Sequence, residues 1–140
     1  MAFTIAPFIG DASYVALLVR LFLGVSLVIH GYPKVKGGWR QAGQWMRSMG
    51  IPAGAAVFAM VIEFVGGLFL VVGLIVPVIA ALAAMQFASI IGMKASKTKA
   101  PFISMEPGKP TYEIDAFYLI LALVLVVLGA GVLSLDSVLF

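Results

Sequence analysis

Three polar side chains interrupt the long apolar runs of this sequence: Arg20, Glu63 and Gln86. An ionised group at bilayer depth costs roughly 2.5–3.5 kcal/mol on insertion scales, so it persists only where it is paired, wetted or used. Arg20 and Glu63 together have the chemistry to polarise a carbonyl and exchange protons with it, as general acid–base groups do. Gln86 can donate a hydrogen bond to the same carbonyl. A second polar set lies where the apolar runs end: His30, Lys34, Glu113 and Asp115. His30 suits a proton shuttle, since its unperturbed pKa is about 6.5. The candidate catalytic residues are therefore Arg20, Glu63 and His30. The candidate ligand-binding residues are Arg20, Glu63, Gln86, Lys34, Glu113 and Asp115. A purely structural account also stands: an Arg–Glu pair fixes helix register in some systems, and Asp115 suits a helix N-terminus through the macrodipole.

These residues need long apolar helices to carry them. The 140 residues are 63% hydrophobic and 11% charged, against about 45–50% and about 25% in globular domains. Mean hydropathy is +1.15. This composition belongs in lipid, where backbone groups must be satisfied within the segment, so the spans are helices. Four segments approach the length of about 20 residues that a bilayer core requires: 14–31, 54–73, 77–93 and 114–133. The expected fold is one all-α domain over 1–140, a four-helix integral membrane bundle. Gly31-Tyr32-Pro33, Gly73 to Pro77, and Pro107 to Pro110 are expected to separate the spans. Arg20, Glu63 and Gln86 each lie roughly nine residues into a span, so at about 1.5 Å per residue they share a level near mid-membrane. They are expected to converge, with Arg20 and Glu63 as an ion pair or a water-bridged pair.

The loop charges are one-sided. Lys34, Lys36, Arg40 and Arg47 follow the first span, and Lys94, Lys97, Lys99 and Lys109 follow the third. The other side carries Asp11 and Asp136 and no basic residue outside a span. The positive-inside rule places the basic loops in the cytoplasm and both termini outside. The first eleven residues carry no Lys or Arg, so the basic region of a secretory signal is not expected there. Residues 39–49 read as a short interfacial amphipathic helix between spans one and two, with Ala42, Trp45, Met46 and Met49 on one face. Ala80, Ala84, Ala88 and Gly92, four apart, suit close helix packing, either within the bundle or across a homodimer. Without cysteine, disulfides, thiol chemistry and Cys-type metal sites are excluded, and one histidine builds no His-rich metal site. No metal is expected. Basic residues confined beside spans do not signal nucleic acid.

Several motifs resemble one family. Arg20-Leu21-x-x-Gly24 and His30-Gly31-x-x-Lys34 are similar to the first span of DoxX-type membrane proteins. Met49-Gly50-Ile51-Pro52 precedes a second-span pattern, Glu63-x-x-Gly66-Gly67-x-x-Leu70-x-x-Gly73. Tyr112-Glu113 and Gly129-x-Gly131-x-x-Ser134-Leu135-Asp136 resemble the last span and its end. Val132 departs from the pattern, standing where many members carry a basic residue, so an anionic contact there is not carried over. The resemblance implies a four-helix protein of a prokaryotic plasma membrane. It implies a link to quinone-linked, sulfur-metabolism or oxidative-stress systems, since the related DoxD subunit belongs to a thiosulfate:quinone oxidoreductase.

Two readings follow. In the first, the chain is a membrane subunit of a redox system with a soluble or membrane redox partner. Arg20, Glu63 and Gln86 would handle a quinone, and His30 would bring protons. No intrinsic cofactor motif is present, so whether the chain is an enzyme on its own is left open. In the second, it is a small transporter working as a dimer, or a scaffold whose basic loops recruit a soluble partner or anionic lipid.

Overall fold

The computed structural model describes residues 12–140. The stretch read as lacking a secretory signal, with Asp11, lies outside the described residues. Among them every regular element is helical, with no strand. Helix α1 is Ala12–Pro33, α2 Trp39–Ser48, α3 Gly54–Val61, α4 Gly67–Val72, α5 Val76–Ser96, α6 Glu113–Leu128 and α7 Asp136–Leu139. Wide turns with i→i+5 bonding, Lys34–Gly38 and Ile62–Gly66, join α1 to α2 and α3 to α4. Among the described residues three stretches are long and apolar enough to cross a membrane: Ala12–Ser48, Gly54–Val72 and Val76–Ser96.

Three boundaries differ from the sequence reading, one being the end of α5 at Ser96 rather than residue 93. The first span does not stop at Gly31-Tyr32-Pro33, because Pro33 keeps helical angles. The chain runs on through the wide turn, and the break comes at Gly37, whose φ of 115° suits glycine alone. The fourth helix is shorter than expected, ending at Leu128 after 16 residues, or about 24 Å. Gly129 and Gly131, both at positive φ, turn the chain away. Residues 129–135 then form a strap across the bundle end that holds the turn between α4 and α5. That end is the tail end, and the opposite one, with Lys34 and Lys94, is the basic end.

Residues pack where side chains are smallest. A Cβ on Gly24 would sit 2.8 Å from the Gly67 carbonyl oxygen, and a Cβ on Gly67 would sit 2.8 Å from that of Gly24. The α1 and α4 backbones therefore touch, as small residues allow in lipid. Leu23, Leu27, Leu70, Val76 and Leu125 fill the core beside them. Ala80 and Ala84 of the α5 stripe are buried in this packing, while Ala88 and Gly92 are exposed. Large apolar side chains cover the outside, among them Leu18, Phe22, Ile29 and Val127. An apolar exterior of this extent has lipid as its natural solvent.

The tail end is stitched by the strap. Gly73, left-handed at φ 77°, ends α4, and its N–H and that of Leu74 both donate to the Phe69 carbonyl. This is a Schellman-type stop. Ile75 has φ 45°, costly for a β-branched residue. Asp136 holds it there: its carboxylate accepts from Ile75 N at 2.6 Å and from Val76 N at 2.9 Å, capping α5 from across the sequence.

Gly67→Ala should force α1 and α4 apart and cost about 1–3 kcal/mol. Gly92→Ala, with nothing within 4 Å of its Cβ, should be neutral or stabilising by up to about 1 kcal/mol. Denaturation in mixed micelles reads both.

Candidate functional site

Glu63 and Arg20 are both buried, at 3% and 1% exposure, but different groups hold them. Lys34 Nζ donates to both Glu63 carboxylate oxygens, at 2.6 and 2.5 Å. Gln86 Nε2 donates to Glu63 Oε1 at 2.7 Å. Arg20 Nη2 instead donates to the Leu133 carbonyl of the strap at 2.6 Å. Asp136 acts on the guanidinium electrostatically. Gly73 leaves the guanidinium its room, since a Cβ there would sit 1.6 Å from Arg20 Nη1.

The expected convergence of Arg20 with Glu63 and Gln86 is thus replaced by two sites. The reasons are direction and register. Cα–Cβ bonds tilt toward the N-terminus of their own helix. The first and second spans are antiparallel, so Arg20 leans to the tail end and Glu63 to the basic end. The register separates them further: Gly24 packs on Gly67 and Gly31 on Phe64, so Arg20 lies level with the Gly73 end and Glu63 level with Gly31.

Local backbone explains why Lys34 meets Glu63. The wide turn Ile62–Gly66 carries Glu63 in mid-span, and such insertions recur at functional sites. Gly31 packs directly on that turn: a Cβ there would lie 2.7 Å from Phe64 N and 3.0 Å from the Glu63 carbonyl carbon. Lys34, three residues on, lies on the same helix face, and its ammonium reaches the carboxylate. The spacing His30-Gly31-x-x-Lys34 thus works as a close approach followed by a charge contact.

Glu63 and Lys34 face a cleft of about 670 Å³ at the basic end. His30 from α1 and Tyr118 from α6 stand on its wall, with Nε2 and Oη 3.1 Å apart in a hydrogen bond whose direction follows the imidazole tautomer. A second ion pair lines it: Lys94 Nζ donates to Asp115 Oδ2 at 2.6 Å and to the Thr111 carbonyl at 3.1 Å. Phe87, Ile90 and Ile114 supply apolar wall, and Ala42, Trp45 and Met46 of α2 contribute another side. Of the expected residues, His30, Lys34, Glu63 and Asp115 meet here. Gln86 joins through Glu63, while Arg20 and Glu113 do not line the cleft.

Lys94 and Tyr118 were missed as site residues. The sequence places Lys94 in a loop, yet α5 extends to Ser96 and carries it on the helix. A lysine in the last turn of a helix, opposite an acidic first turn, is the available signal.

The arrangement can hold and move protons. Glu63 accepts three hydrogen bonds from two donors, as a buried carboxylate requires. Gln86 Oε1 is buried without a partner. Its amide therefore donates to an ionised Glu63 and, after a flip, can accept from a protonated one. Lys34 and Lys94 against Glu63 and Asp115 make a neutral charge set. Among the described residues no group of three His, Cys, Asp or Glu side chains could hold a metal ion.

Lys34→Met should lose about 3 kcal/mol, the low end for stranding a buried charge. Glu63→Gln added to it should recover most of that loss. Arg20→Met and Glu63→Gln, which share no partner, should add within about 0.5 kcal/mol. Double-mutant cycles of unfolding in micelles separate the two cases.

With this geometry in place, comparison with known proteins is informative. No solved structure matches the chain. A Bacillus subtilis (strain 168) protein named "Putative oxidoreductase CatD" is 30% identical over 125 residues, covering 89% of this chain and 86% of that protein. The family model DoxX matches residues 15–94, which include most of α1, the Lys34–Glu63 contact and Gln86. Its apolar helices make it a multi-pass membrane protein, and the chain belongs to the DoxX family.

Proposed function

We propose that this DoxX protein is the membrane subunit of a quinone-linked redox system, with the basic-end cleft as the site for the quinone ring. One observation carries the reading: a buried carboxyl group, Glu63, held by Lys34 and Gln86, faces a cleft that combines apolar wall from Phe87, Ile90, Ile114 and Trp45 with hydrogen-bonding groups. A quinone ring is flat and apolar with two carbonyl acceptors, and this wall composition fits it. The oxidoreductase name of the Bacillus relative agrees with the reading.

A quinone accepts two electrons and two protons to become a quinol, and the electrons come from a partner that oxidises the reductant. This chain's residues bind and supply protons. Lys34 Nζ donates a hydrogen bond to one carbonyl, and Phe87 and Ile90 exclude water from the ring. Glu63 gives up a proton when protonated and recovers it through the cleft, while the Gln86 amide follows by flipping. His30 and Tyr118 form a second donor pair at the mouth. Arg20, held at the tail end, acts as a structural clamp.

In this reading the basic end faces the cytoplasm of a prokaryotic cell, following the one-sided Lys and Arg residues. The α6 helix completes a four-helix bundle with its strap near the opposite surface, and α2 lies in the interface. The redox partner docks at the basic end.

The test is extraction of bound small molecules from the protein purified in mild detergent, with native mass spectrometry of the intact complex. Wild type and Glu113→Gln should carry one quinone per chain, and Glu63→Gln should lose it. Phospholipid alone in all three would overturn the reading and return the cleft to a transport or scaffolding role.

A further inference from the structure

A second cavity, about 350 Å³, lies between α3 and α5 beside the cleft. Met46, Ala59 and Ile90 line both, so the two spaces share a wall of three side chains. Their chemistry is opposite. The cleft has both ion pairs, whereas the second cavity is lined by Ile51, Phe58, Met85 and Met93 and by no ionised group. Its two polar side chains, Ser89 and Gln86, each donate a hydrogen bond elsewhere, with Gln86 Oε1 left without a partner. Ser89 Oγ donates to the Met85 carbonyl at 2.8 Å, and Gln86 Nε2 donates to Glu63. Phe58 and Met85 are 57% and 64% exposed on the outer, lipid-suited surface, so this cavity opens sideways between spans.

We propose that this side cavity takes the isoprenoid tail of the ligand whose ring occupies the cleft, and that the ligand enters from the bilayer. The inference rests on the quinone reading and specifies its substrate class as a long-tailed membrane quinone. Unbranched thioether side chains fill irregular space well, and Met46, Met85 and Met93 adapt to a methyl-branched chain. Gln86 sits at the junction, its amide on Glu63 and its side chain in the tail cavity wall. A phospholipid acyl chain fits less well. Its phosphate would meet a cleft in which both lysines are already paired, and a neutral head does not need a free cation.

The experiment uses the full chain in nanodiscs and two probes, a tailless methylated benzoquinone and the same ring bearing a prenyl tail. Wild type should bind the prenylated probe at least about tenfold more tightly. Ala55→Trp, which fills the side cavity from α3, should abolish that gain and leave tailless binding unchanged, which also shows that the variant is folded. A diazirine at the tail tip should label peptides containing Phe58, Met85 or Met93. Equal affinity of the two probes for wild type would overturn the tail site, as would a tail gain that survives Ala55→Trp. Labelling confined to α1 or α6, which do not line the cavity, would do the same. Failure of the tailless probe to bind wild type would instead remove the quinone reading itself, and the tail site with it.

Discussion

The basic end is organised around satisfying one buried carboxyl group. Glu63 sits in mid-span, and three hydrogen bonds are brought to it from two other segments. Each contributor needs its own backbone device. The wide turn Ile62–Gly66 presents the carboxyl group. Gly31 lets α1 press against that turn, and the continued helix past Pro33 carries Lys34 over it. Removing any one would leave a charge in a medium of low dielectric, where an unpaired ion costs several kcal/mol. The cleft exists because these devices hold α1, α5 and α6 around a polar floor.

The second buried charge is handled differently. Arg20 has no carboxylate within ion-pair distance among the described residues. It uses one carbonyl and the nearby field of Asp136, while Asp136 spends its carboxylate capping α5. Nε and Nη1 of Arg20 remain without protein partners. A guanidinium tolerates this better than an ammonium because its charge is delocalised and weakly hydrated. The two ends thus divide the labour: the basic end is an open polar cleft, and the tail end is a closed clamp.

Much of this was legible in the sequence. Apolar run lengths place the helices Gly54–Val72 and Val76–Ser96 to within a few residues, and the helical spacing of Ala42, Trp45, Met46 and Met49 places a helix at Trp39–Ser48. Glu63, Lys34, His30, Gln86 and Asp115 could be singled out because polar groups beside apolar runs are costly. Which of them meet was not legible. Counting rise from assumed span ends misses the register, which the Gly24–Gly67 and Gly31–Phe64 contacts set, and misses the direction of each side chain, which reverses between antiparallel helices. The early end of α6 was also hidden, because residues 129–133 are apolar enough to continue a span. Only the positive φ values at Gly129 and Gly131 turn them into a strap.

That strap also sets an order of events during synthesis. Lys34 and Glu63 are 29 residues apart, whereas Arg20 waits for a carbonyl 113 residues later. At about 5–20 residues per second, the second interval is roughly 6–23 s and the first only a few seconds. The basic end can therefore close while the chain is still being inserted. Through the longer interval the Arg20 guanidinium must reach toward the head groups, as long cationic side chains do. The membrane interface thus serves as its temporary partner until the strap arrives. Assembly of this protein finishes at the tail end, with a charge that changes its host from lipid to protein.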